Sequence, residues 1–153
     1  MRTIALRLLA CYLVPSMAAE PIQKNLTWFE AKGSIESYQS SDGKGGQRPK
    51  LVLFSHDWDM LSKLLKKELV TKLKSEPENS PILLEANCTD SETSPYYAIL
   101  KEHDLRTLPV IGIHTKKGWR FINPEAEFEA MKVKGEGGLV THLVNTITSQ
   151  TNG

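Results

Sequence analysis

The stretch "LVLFSHDWDMLSK", Leu51 to Lys63, decides how the rest of the chain is read. Its four leading apolar residues, Leu51 to Phe54, have the form of a strand buried on both faces. After a polar turn, Leu61, Leu65, Leu69 and Leu73 recur every four residues, the stripe of a helix packed on a core. That helix is expected from about Asp57 to Lys74, with Trp58 and Leu64 widening the stripe and Lys63, Lys66, Lys67 and Lys72 mostly on the solvated side. A strand turning directly into a helix makes a corner, and this corner carries His56, Asp57, Trp58, Asp59 and Ser62. Asp59 and Asp57 are equally good candidates to cap the helix, since a carboxylate accepts from its free N–H groups and suits its dipole.

Toward the C-terminus, "SPILLEANC" (Ser80–Cys88) reads as a second strand entered through Pro81. "SPYYAILKEHDL" reads as a helix with Ser94 as N-cap and Pro95 at its first position. "LPVIGIHT" and "WRFI" form a hairpin around the Lys116-Lys117-Gly118 turn, and Gly137-Gly138 introduces a last helix from Leu139 to about Ser149. Toward the N-terminus, "SSDGKGGQRPK" (Ser40–Lys50) reads as a flexible loop, and "LTWFEAKGSIESYQ" (Leu26–Gln39) as a short strand or turn followed by a helix. This alternation predicts an α/β fold, a mixed central sheet with helices on both faces in three layers.

At 153 residues the chain is sized for one domain, and 40% hydrophobic with 24% charged residues argues against disorder. A formal net charge of +1 with no dense Lys/Arg cluster argues against nucleic acid as a partner. Residues 1–19 have the form of a secretory signal peptide: Arg2 at the start, an apolar stretch from Ile4 to Val14 interrupted by Arg7, and Ser16-Met17-Ala18 as cleavage site. "LLAC", ending at Cys11, resembles a lipoprotein box with too little chain before it. Export to a periplasm or the exterior is expected, with 20–49 as an N-terminal segment and loop and 50–150 as the folded domain. No transmembrane segment is expected once the signal is removed. Removal lowers the formal charge from +1 to −1 and leaves Cys88 alone, so no internal disulfide can form. Asn25-Leu26-Thr27 and Asn87-Cys88-Thr89 fit the glycosylation sequon, usable only where the exporting cell glycosylates.

Two motifs carry a family resemblance. "LRTLPVIGI" (Leu105–Ile113) resembles the "RGIPT" element that closes the site of the thioredoxin-like superfamily with a cis-proline, here Pro109 after Leu108, with Thr107 in the Gly position. Trp58 stands where the family's "WCxxC" begins, but the cysteine positions hold Asp59 and Ser62, and the position of the family's buried acid holds Leu53. The resemblance covers roughly Lys50 to Ser149. It implies a thioredoxin-like domain without dithiol chemistry, because exchange needs a thiolate and a second, resolving thiol. What would persist is the family's peptide groove, lined here by Trp58, Leu108 and Pro109 and engaged by strand addition with a protein or extended peptide. No catalytic residue, cofactor or metal is expected. The rivals are a one-thiol oxidoreductase using Cys88, whose bland reading is a small buried apolar residue, and a hydrolase using His56, Asp57 and Ser62. His56 with Asp57 and Asp59 has no recognised metal-ligand spacing.

Overall fold

The computed structural model describes residues 26–38, 48–74, 80–90, 94–131 and 135–151. The elements run β1 (Phe29–Glu30), a single 3-10 turn (Ile35–Ser37), β2 (Lys50–Ser55), α1 (Met60–Leu73), β3 (Ile82–Asn87), α2 (Pro95–Glu102), β4 (Val110–Thr115), β5 (Gly118–Ile122), α3 (Pro124–Met131) and α4 (Gly135–Thr151). The expected signal peptide, the Asn25 sequon and most of the Ser40–Lys50 loop lie outside the described residues.

The strands form one sheet in the order β1-β3-β2-β4-β5, with β1, β3 and β2 parallel and β4 antiparallel to both β2 and β5. The fold is therefore α/β with a mixed five-stranded sheet. β1 comes from the segment before residue 50; it pairs Phe29 with Leu84, and the Ala31 N–H extends the contact to the Glu85 carbonyl at 2.8 Å.

Every residue of β2 is buried, and its side chains divide by the twofold period of a strand. Leu51 and Leu53 join Leu65, Leu69 and Leu73 of α1 and Leu143, Val144 and Ile147 of α4 on one face. Val52 and Phe54 join Ala31, Ile35, Cys88 and Tyr96 and Leu100 of α2 on the other. Burial of each such large apolar side chain contributes roughly 1.5–3 kcal/mol, so two helix-covered faces hold the corner at the end of β2 firmly.

Three expectations are corrected. Helix α1 begins at Met60, not near Asp57, because Asp59 in extended geometry caps it while Asp57 is bonded to Asn87 at the end of β3 and to Thr89. Trp58 thus stands outside the helix; it does not widen the apolar stripe and is 66% exposed. The last helix begins at Gly135, so Gly137 and Gly138 lie inside it; the buried row Leu139, Val140, Leu143, Val144 and Ile147 outweighs the low helix propensity of two glycines. The helix expected toward the end of "LTWFEAKGSIESYQ" is a single 3-10 turn, Ile35–Ser37, among the described residues. α3 was not foreseen.

Candidate functional site

The corner is built by short-range hydrogen bonds. The Asp59 N–H donates to the His56 carbonyl at 3.2 Å, closing the turn that carries Trp58. One Asp59 carboxylate oxygen accepts from the Leu61 N–H at 3.1 Å, and the other accepts from the Ser62 hydroxyl at 2.5 Å. Ser62 is buried. Asp57 accepts from the Asn87 side-chain amide at 2.8 Å and donates its N–H to the Thr89 hydroxyl at 3.2 Å, pinning the turn to the end of β3. The Asn87 sequon is thereby engaged in the fold.

These bonds decide what the corner can do. Ser62 donates to Asp59, Asp57 binds Asn87, and the His56 ring stacks on Trp58 with centroids 4.6 Å apart and planes 8° apart. The Nδ1 of His56 is buried with no partner. The hydrolase residue types are therefore present but not connected: no base is bonded to the hydroxyl and no carboxylate orients the base. Among the described residues no three His, Cys, Asp or Glu side chains converge to hold a metal ion.

Cys88 is fully buried on the α2 face of the sheet, its backbone N–H bonded to the Ser55 carbonyl at 2.9 Å and its Sγ 3.6 Å from the Ala86 carbonyl. Burial pushes its pKa up to about 11, against a smaller opposing effect of the Ser94 hydroxyl. Such a thiol is neither accessible nor ionised near neutral pH, and both are needed for attack on a disulfide.

Beside the corner lies a cleft of about 480 Å³ lined by Leu61, Thr107, Leu108, Pro109, Asn123, Pro124, Glu125, Phe128 and Leu139. The Leu108–Pro109 peptide bond is cis. α3 supplies one wall, and its placement is local chemistry: the Asn123 side chain caps the helix by accepting from the Glu125 N–H at 2.9 Å and donates its amide to the Thr107 hydroxyl at 3.3 Å. Glu127 then meets His142 of α4 at 2.8 Å. Sequence reasoning missed this wall. The Asn123-Pro124 pair, with Glu125 and Glu127 following, was a usable helix-start signal.

Among the described residues three large apolar side chains are exposed: Trp58 (66%), Met60 (63%) and Phe128 (41%). Phe128 lines the cleft, and Trp58 and Met60 sit on the corner next to its Leu61 wall. Leu108 and Pro109 thus line one cleft together with Leu61 and Phe128, and Trp58 is not among its lining residues. A second, shallower cleft of about 560 Å³ lies along α1, where Trp28 donates its indole N–H to the Lys66 carbonyl at 3.1 Å and Lys66 pairs with Glu85 at 2.7 Å.

No protein-family model matches the chain, and no curated protein matches it. Among the described residues no helix is long and apolar enough to cross a membrane.

Proposed function

We propose that the chain is an exported thioredoxin-like domain that lacks dithiol redox activity and acts by binding an extended protein segment in the cleft beside Pro109. The fold assignment draws support from a mixed sheet flanked by helices, a Trp corner at the end of β2 and a Leu-Pro entry to β4. One observation carries the binding role: of the large apolar side chains exposed among the described residues, Phe128 lines the cleft, and Met60 and Trp58 precede its lining residue Leu61 in the chain. Exposed apolar surface that gathers in one place marks an interaction site more often than scattered residues do. Among the described residues Leu108 makes no backbone hydrogen bond, so its N–H and C=O are free to pair with an added strand.

The rival using Cys88 has a buried, un-ionised thiol and no cysteine at the corner. The deciding experiment pairs two measurements on the purified protein. Titration with a reduced, carboxymethylated polypeptide, followed by amide NMR, is expected to shift Trp58, Leu108 and Phe128 together. Insulin-disulfide reduction is expected at background. Turnover that survives in Cys88→Ser would end the reading, as would a titration that leaves the cleft unmoved.

A further inference from the structure

The lysines of α1 read from the sequence as one solvated face, but the structure divides them. Lys72 turns toward α4, where its ammonium meets the Asn145 side chain. Lys63, Lys66 and Lys67 instead line the cleft of about 560 Å³ beside Trp28, with Leu26 and Val70 among the apolar lining. One carboxylate lines that cleft, Glu85, and Lys66 takes it at 2.7 Å. Lys63 and Lys67 are exposed, and among the described residues neither ammonium has an ion pair or a hydrogen bond. Two further acids stand nearby. Asp59, four residues before Lys63, accepts from the Leu61 N–H and the Ser62 hydroxyl, and Glu30, opposite Glu85 in the β1–β3 register, does not line the cleft. In the sequence, Glu20 and Lys24 balance each other before Leu26. Glu76 and Glu78 follow the other end of α1, whose last residue Leu73 is about 15 Å along the axis from Lys63. Lys63 and Lys67, four residues apart on one helix face, are a like-charge pair that weakens the helix carrying it, so helix stability does not account for them.

The cleft has two walls of different chemistry. On the α1 side the two free lysines are about 6 Å apart along the helix axis. On the other side Leu26 and Trp28 lead into β1, and the indole N–H fixes the Trp28 ring by donating to the Lys66 carbonyl at 3.1 Å. In an extended chain alternate side chains point the same way about 6.7 Å apart, with the one between them directed oppositely. That repeat matches the lysine spacing and turns the intervening side chain toward Leu26 and Trp28. We infer that the Trp28 cleft takes an extended acidic segment of a partner protein in the pattern acid–apolar–acid. Its two carboxylates meet Lys63 and Lys67, and the apolar residue between them packs on Leu26 and Trp28. This cleft shares no lining residue with the one beside Pro109 and does not depend on the role proposed for it.

The test uses short labelled peptides, identical except for Glu-Leu-Glu, Ser-Leu-Ser or Lys-Leu-Lys at the centre, titrated into the purified protein and followed by anisotropy and NMR. At low salt the glutamate peptide is expected to bind about fivefold more tightly than the serine peptide, the increment of two exposed ion pairs, with the lysine peptide weakest. It should shift the Trp28 indole N–H, and salt well above 0.1 M should shrink its advantage. Lys63→Gln combined with Lys67→Gln should abolish the preference and keep the fold, because neither ammonium is bonded within it. Phe128→Ser, in the other cleft, should leave the preference unchanged. Equal affinities, no binding, or shifts at Leu108 and Phe128 in place of Trp28 overturn the inference. A dimer in sedimentation, or retention on phosphatidylserine vesicles, that the two glutamine changes abolish also overturns it, since the occupant would then be a second copy or a lipid surface.

Discussion

Ser62 donates its hydroxyl to the carboxylate of Asp59 across one helical turn, and that carboxylate also accepts from the Leu61 N–H in the first turn of α1. The two positions where the resemblance would place sulfur are thus bonded to each other through oxygen. They form a helix cap, and neither carries a thiol. The chemistry of the corner is that of a fixed charge beside an exposed indole.

Loss of the Asp59 carboxylate removes the cap and strands the buried Ser62 hydroxyl. Asp59→Ala should therefore cost about 1–2 kcal/mol in denaturant unfolding, the usual range for a lost helix cap. Asp59→Asn should retain most of the stability. A double-mutant cycle with Ser62→Ala should show clear coupling between the two positions, since the residues share one hydrogen bond.

Gly112 lies beneath an aromatic cluster in which Trp119 stacks on Phe121 with centroids 5.3 Å apart. A Cβ at Gly112 would stand 2.7 Å from Cζ3 of Trp119 and 3.0 Å from Cε2 of Phe54. Gly112→Ala should therefore destabilise the fold by about 1–3 kcal/mol through overpacking. Thermal unfolding of Gly112→Ala with and without Trp119→Leu checks the cause: the second change should recover part of the loss.

Cys88 should resist an aromatic disulfide reagent in the native state and react promptly once denaturant opens the core. Its pKa, near 9.0 as the ordinary value, is about 11 in the fold. Between those values the unfolded chain releases a proton that the folded chain keeps, so stability falls as pH rises through the window. Tyr96, also raised by burial, adds to that fall near its upper end. The difference between wild type and Cys88→Ala across this range isolates the thiol. A slope identical in both proteins would show that the thiol does not contribute.

His114 sits opposite Lys50 in the β2–β4 pairing, and Lys50 is buried with its Nζ donating to the Glu36 carbonyl at 3.0 Å. Burial first, and then the Lys50 charge, hold the His114 pKa below its ordinary value, against a smaller pull from Glu36. The unfolded chain then takes up a proton more readily than the folded one. Stability should rise with pH up to about 6.5 and level off above. Urea midpoints measured between pH 5 and 7 should lose most of that slope in His114→Gln.

Much of this architecture was legible because burial writes itself into spacing. The all-apolar β2 run, the Leu61-Leu65-Leu69-Leu73 ladder and the Ser94-Pro95 start each emerged where their patterns place them, within a residue or a few. The corner was legible as residue types but not as partners. Two aspartates both suited the cap, and only the pairing of Asp57 with Asn87, thirty residues away, decides between them. Trp58 reads as part of the stripe because an aromatic ahead of a leucine ladder looks like core. α3 was missed because "PEAEFEAM" has no apolar stripe of its own: its Phe128 stays exposed, and the helix is held instead by Asn123 and by Glu127 with His142. A wall built from polar contacts at its ends leaves little periodicity to read.

That wall makes Asn123 the clearest single test of the cleft. Its side chain both caps α3 and reaches the Thr107 hydroxyl beside Leu108, so it couples the helix bearing Phe128 to the Leu108–Pro109 turn. Asn123→Ala should cost about 1 kcal/mol of stability as a lost cap. It should also weaken peptide binding several-fold, because the wall would no longer be fixed against the turn. Asn123→Asp keeps the acceptor for the Glu125 N–H but loses the amide donor to Thr107. It should therefore restore stability more fully than binding, and hydrogen exchange along α3 should follow the cap while affinity follows the contact with Thr107.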